Sequence, residues 1–275
     1  MVPFSSFQTF KSGSISFRSA GSGTPVVLLH GFPEDGALWR DVAPQLAADC
    51  TVLIPDLPGA GDSDGTGKAA LTMESMADAV VKGLQLRGHD SAVIVGHSMG
   101  GYVGLAIAER HPEFLQGLAL VHSTATADSD EKKDQRRKTA RLLRGGGKSL
   151  FVKASIEGLF APAFKEAHPG IVSEQVERGL AIDEEALAQY TEAMSVRPDR
   201  RALLSDCKKP IQWIVGDCDS LLPVDLLMQQ VPLPSVSFLV LYRGCGHLSP
   251  LEAPDRLAAD LSRFVAYCSR SGKPD

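Results

Sequence analysis

Ser98 stands in the pentapeptide Gly96-His97-Ser98-Met99-Gly100, directly after the apolar run Ala92-Val93-Ile94-Val95 and before a stretch of helical spacing. The pattern G-x-S-x-G between a strand and a helix describes a sharp turn that lifts a serine hydroxyl above a sheet edge. A strained turn brings backbone against backbone, so the flanking positions must lack bulk. The N–H of Met99 opens the following helix and points to where a negative oxygen would form beside the serine. A serine hydroxyl becomes a useful nucleophile only when a base takes its proton and an acid fixes the tautomer of that base.

The chain holds seven histidines. His30 and His97 are embedded in turn motifs, and His89, His111 and His168 fall in surface turns. His247 follows the last apolar run, in the loop Gly244-Cys245-Gly246-His247, and is the expected base. His122 ends the strand after the serine and is read as a polar lining residue. The acid is sought in Gly216-Asp217-Cys218-Asp219, where spacing alone leaves Asp217 and Asp219 both open.

These residues need a scaffold, and the chain alternates strand and helix in the way that builds one. Residues 4–20 alternate weakly and predict an antiparallel hairpin at a sheet edge. Pro25–Leu29, Thr51–Ile54, Ala92–Val95, Leu115–Val121, Ile211–Val215 and Val236–Tyr242 read as strands, most of them continuous apolar runs buried on both faces of a parallel sheet. Helices are expected from about Gly36 to Ala47, Met73 to Leu86, Met99 to Arg110 and Pro254 to Cys268. Between Thr124 and Arg201 no buried strand occurs, and the block reads as a mostly helical insertion over the sheet's C-terminal edge. The expected organisation is therefore a core of residues 1–123 and 202–275 with an insertion at 124–201. Within that insertion, Lys132-Lys133 to Arg136-Arg137-Lys138 has the charge to bind an anionic ligand, but it is interleaved with acids and reads as a solvated helix face.

With 44% hydrophobic residues in a chain of 275 and a formal net charge of −5, the sequence can bury a full core and offers no global attraction to nucleic acid or an anionic membrane. Five cysteines without a C-x-x-C pair give neither a disulfide framework nor a zinc site. No apolar run reaches the length of a membrane span, and no leader pattern opens the chain, so a cytoplasmic protein is expected; action on a small-molecule substrate without a cofactor, as a monomer or homodimer, is expected beside it.

Four motifs taken together resemble the α/β-hydrolase superfamily, in its serine branch with a helical cap. They are His30-Gly31-Phe32-Pro33, the loop Asp56-Leu57-Pro58-Gly59-Ala60-Gly61-Asp62-Ser63, the elbow at Ser98, and Gly246-His247, with Gly216 to Asp219 matching the acid loop. The resemblance implies an α/β fold with a mostly parallel central sheet flanked by helices and a helical cap insertion. It also implies that the acid is Asp219, that Asp217 bonds loop backbone, that Asp56 orders its own loop, and that Phe32 N–H joins Met99 N–H in an oxyanion hole. The activity it implies is that of a carboxylesterase working through Ser98, His247 and Asp219. Carbon-carbon bond hydrolysis, haloperoxidase-like perhydrolysis and ligand sensing are the alternatives on the same fold. His-Gly-Phe-Pro-Glu also resembles the epoxide-hydrolase branch, which attacks with an aspartate where this chain has Ser98 and which uses cap tyrosines where this insertion has only Tyr190.

Overall fold

The structure, a computed structural model, describes residues 2–67 and 70–271. Its strands are β1 (Gln8–Ser12), β2 (Ile15–Ala20), β3 (Thr24–Leu29), β4 (Cys50–Asp56), β5 (Ala92–His97), β6 (Leu115–Val121), β7 (Ile211–Gly216) and β8 (Ser237–Tyr242). They form one sheet in the order β1-β2-β4-β3-β5-β6-β7-β8. The predicted hairpin pairs antiparallel at the edge, β2 joins β4 antiparallel, and every pair from β4 through β8 is parallel.

Alternate side chains of the central strands enter opposite faces, which is why their sequences are apolar without interruption. Val26, Leu28, Val93, Val95, Ala119 and Val121 pack in one core, beneath the C-terminal helix α7 (Pro254–Ser271). Val27, Leu29, Ile94, Leu118 and Leu120 pack in the other, beneath α1 (Met73–Gln85) and α2 (Met99–Arg110). Each fully buried Val or Leu here contributes about 1.5–3 kcal/mol of transfer free energy, so the sheet is the rigid base of the molecule. Helix α1 starts at a capping box in which Thr72 and Ser75 exchange side-chain-to-backbone hydrogen bonds at 3.0 Å.

The helix expected from Gly36 to Ala47 is broken into a 3₁₀ turn at Gly36–Trp39 and one α turn at Ala43–Leu46. Pro44 accounts for the break, since it has no N–H and its ring opposes the carbonyl four residues earlier. Between β6 and the adjacent β7 the chain leaves the sheet and forms α3 (Asp130–Leu142), α4 (Lys148–Glu157), a short helix at Pro162–Ala167, α5 (Pro169–Ala181) and α6 (Glu184–Val196). Helix α3 packs on α6 and α4 on α5. Phe151, Ser155, Leu159, Thr191 and Met194 of this block line the same cleft as Ser98 and His247.

Candidate active site

Parallel strands deliver their following loops to one edge of the sheet, and that is where the candidate residues converge. Ser98 caps α2 with φ 50° and ψ −113°, a left-handed backbone for a residue with a side chain. Its N–H donates to Val121 O at 2.9 Å and its carbonyl accepts from Ser123 Oγ at 2.8 Å, so neighbouring elements hold the strained turn. A Cβ at Gly96 would lie 2.4 Å from Gly100 O, and one at Gly100 would lie 2.4 Å from Leu29 O, which gives both glycines of the pentapeptide a steric cause. Met99 is the first residue of α2, where a helical N–H has no partner inside its own helix.

His247 Nδ1 donates to Asp219 Oδ2 at 2.7 Å, leaving Nε2 as the ring's acceptor. That Nε2 is buried without a hydrogen-bond partner among the described residues, and His247 lines the cleft beside Ser98. Asp219 Oδ1 accepts the N–H groups of Leu221 and Leu222 at 2.9 and 3.1 Å. Burial would push the Asp219 carboxyl up, but the His247 charge and the donors on His122 and His247 hold it well below the usual carboxylate range. Asp217, two residues earlier, is exposed and accepts Gly244 N–H at 2.7 Å, so it is Asp219 that faces His247.

His122 also donates from Nδ1 to Asp219 Oδ2, at 3.1 Å. Burial pushes its pKa down to about 4, which keeps the ring neutral. His97 is buried behind both, with ring centroids 5.1 Å from His247 and 6.0 Å from His122. Its Nε2 donates to the backbone carbonyl of His247 at 2.8 Å and its Nδ1 meets Glu34 Oε2 at 2.9 Å. Burial alone would lower the His97 pKa, but Glu34 raises it above the ordinary value, and His97 in turn holds the Glu34 carboxyl below its own, so each group favours the charged form of the other. Gly31 N–H donates to the same Glu34 oxygen at 2.9 Å. A Cβ on Gly31 would lie 2.7 Å from His97 Nδ1 and 3.1 Å from Ser98 Cβ, so the loop carrying Phe32 is seated directly on the elbow.

Sequence reasoning passed over Glu34 and His97 as parts of turns. Their signal was a Glu three residues after Gly31 and a His one residue before Ser98, and only the parallel pairing of β3 with β5 brings them together. Glu252 is a further such residue, accepting Gly246 N–H at 2.9 Å and Leu248 N–H at 3.2 Å around His247. Asp56 is fully buried and accepts from Arg18, Gly36 N–H and Asp62 N–H, which orders its loop. His122, Asp219 and His247 also hold ligand-type atoms within 4.8 Å of one another. A metal ion there would displace the two Nδ1 protons that now bind Asp219 Oδ2.

The description "alpha/beta hydrolase fold" matches residues 24–155. The chain is similar to a thermophilic esterase of Thermogutta terrifontis, with 31% identity, a TM-score of 0.88, and coverage of 92% of this chain and 93% of that one. This protein belongs to the α/β-hydrolase family. Among curated relatives it is 27% identical over 260 residues to the pimeloyl-[acyl-carrier protein] methyl ester esterase of Sodalis glossinidius, covering 88% of this chain and 93% of that protein. It is 39% identical over 107 residues to a soluble epoxide hydrolase of Corynebacterium sp., a match that spans 36% of that protein's length. No helix of the described residues is long and apolar enough to cross a membrane.

Proposed function

We propose that this protein is a carboxylic ester hydrolase acting through Ser98, His247 and Asp219, with residues 124–201 as a cap over the cleft. The observation that carries the reading is His247, whose Nδ1 is fixed on Asp219 at 2.7 Å while its Nε2 has no hydrogen-bond partner among the described residues and its side chain lines the cleft that holds Ser98. In this mechanism Ser98 Oγ attacks the ester carbonyl and its proton passes to His247 Nε2. The negative oxygen of the tetrahedral intermediate rests on the N–H groups of Phe32 and Met99, each worth about 3 kcal/mol of barrier. Collapse breaks the acyl-oxygen bond, and the leaving alcohol takes the proton from His247. Water then gives its proton to His247 and attacks the acyl group, and the returning proton frees Ser98 as the acid departs.

The Asp219 carboxylate stays ionised throughout and stabilises the imidazolium. Its second oxygen is already held by two backbone N–H groups, so it has no freedom to follow the ring. The cleft, about 270 Å³, holds roughly nine waters' worth of space and suits a small ester. The esterase names among similar proteins support the reading. Epoxide opening is disfavoured by the serine at position 98 and by Tyr190, whose hydroxyl is fully buried and donates to Pro58 O at 2.7 Å.

The test is labelling by a fluorophosphonate together with turnover of a short-chain ester panel. Ser98→Ala should abolish labelling and lower turnover by about 10⁵-fold or more with the thermal midpoint unchanged. Labelling that persists in Ser98→Ala would end the assignment.

A further inference from the structure

Lys132, Gln135, Arg136 and Thr139 recur along α3 at spacings of three and four, so they share one face of that helix. All four line the cleft that holds Ser98 and His247. A polar stripe normally faces water. Here it borders the cleft, with Lys132, Arg136 and Thr139 half-buried and Gln135 exposed at its rim.

The charges on that stripe do not cancel. Arg136 is engaged, pairing through Nε with Asp128 and approaching Met194 Sδ at 3.2 Å with Nη1. Asp128 also accepts from Arg197 Nη2 at 2.8 Å, and that guanidinium lies 3.9 Å over the ring of Tyr102, another lining residue. One carboxylate thus faces two guanidinium groups. Burial would raise its pKa, and the pairing with Arg197 and Arg136 holds it below the ordinary value.

Lys132 has no such partner. Its side chain makes no ion pair or hydrogen bond among the described residues, while Asp130 pairs with Lys133 and Asp134 with Arg137. The described residues lining the cleft include two cations and no carboxylate. Phe32, Phe151, Leu159, Leu221 and Leu222 supply apolar lining to the same cleft. A half-buried lysine lining a partly apolar cleft, with no carboxylate among the described lining residues, is complementary to an anionic group held on a short aliphatic chain.

We propose that the α3 side of the cleft is an anion subsite, in which Lys132 binds the carboxylate or phosphate terminus of an amphiphilic substrate. The inference rests on the ester hydrolase reading for what happens at the other end of that substrate. Lys132 is then a specificity residue, and Arg136, held by Asp128, contributes field without moving.

Calorimetric titration at neutral pH with adipate, butyl phosphate and the uncharged adipamide tests the subsite without requiring turnover. The wild-type protein should bind at least one of the anions about tenfold tighter than adipamide, Lys132→Met should erase that preference, and Lys132→Arg should keep it. Rising salt should weaken the anion and leave adipamide unchanged. Tighter adipate assigns a carboxylate, and tighter butyl phosphate assigns a phosphate. Equal binding of all three probes, or a preference that survives in a folded Lys132→Met, overturns the proposal.

Turnover then separates this proposal from the reading it rests on. With monomethyl adipate, Lys132→Met should raise KM about tenfold at constant kcat, with no change for methyl hexanoate. Anion preference without turnover of any ester would sink the hydrolase reading alone. Turnover of methyl hexanoate with no anion preference would sink the subsite alone.

Discussion

At the carboxyl edge of the sheet, Glu34, His97, His122, Asp219 and His247 are all buried, and each is bound to fixed partners. On the outer surface of the helical insertion charged residues pair in water, as Arg144 does with Glu185 and Glu192 while 39% exposed. A charge pair at 4 Å is worth about 1 kcal/mol in bulk water and about 4 kcal/mol at the effective dielectric of a protein site. Burial therefore strengthens the pairs that fix Glu34, His97, Asp219 and His247 at the sheet edge. The outer face of the insertion loses little from a changed charge, unlike its buried Asp128 and Arg197, so charge can vary on that face without loss of the fold.

The sharpest way to break this contrast is at the acid loop. Asp219→Asn should turn the His247 tautomer and lower ester turnover by about 10⁴-fold, whereas Asp217→Asn, on an exposed loop bond, should cost less than about threefold. Initial rates on one activated ester, with variants matched for thermal stability, decide between them. A larger loss from Asp217→Asn would reverse the two roles.

The next effect is in stability. Glu34→Gln leaves the His97 imidazolium buried without its carboxylate and should cost about 3–5 kcal/mol in urea unfolding. Turnover should fall with it, because His97 also holds the carbonyl of His247. A variant as stable as wild type would show that the pair is not charged.

His122 supplies a pH signature. Its folded pKa is lowered to about 4 from 6.5, so the unfolded chain takes up the proton first and stability is lost as pH falls through that window. The loss should reach about 3 kcal/mol by pH 4. Glu34 and Asp219, both lowered, act mainly below this range, and His97, raised, acts above it. Chemical denaturation of His122→Gln across the same pH values should show a correspondingly flatter slope; an unchanged slope would mean that His122 is charged in the fold.

The smallest expected effect lies on the insertion. Arg144 makes four hydrogen bonds to two glutamates, yet Arg144→Ala should cost no more than about 1 kcal/mol, because water competes for each of them. A loss approaching that of Glu34→Gln would erase the distinction between the two regions.

Much of this arrangement is legible along the chain. The strands of the core show as apolar runs because both faces of a parallel sheet are covered, and the break before α2 shows because only glycine fits beside Gly100 O and Leu29 O. The pentapeptide around Ser98 and the loop of His247 carry their own signatures, since local backbone geometry restricts which residues can occupy them. Asp219 and Asp217 are different. Two acids one residue apart are equivalent to any local rule, and their roles part only where the loop coils after Gly216 and turns one toward His247 and the other toward Gly244.

Glu34 with His97, and His122 with Asp219, are separated by 63 and 97 residues, and no local pattern links such pairs. The stripe of Lys132, Gln135, Arg136 and Thr139 is readable as one helix face, but not the direction in which it looks. Periodicity states which side chains lie together on a helix. What they face is decided by the elements packed around it, and here α6 and the sheet edge enclose that stripe around the cleft above Ser98.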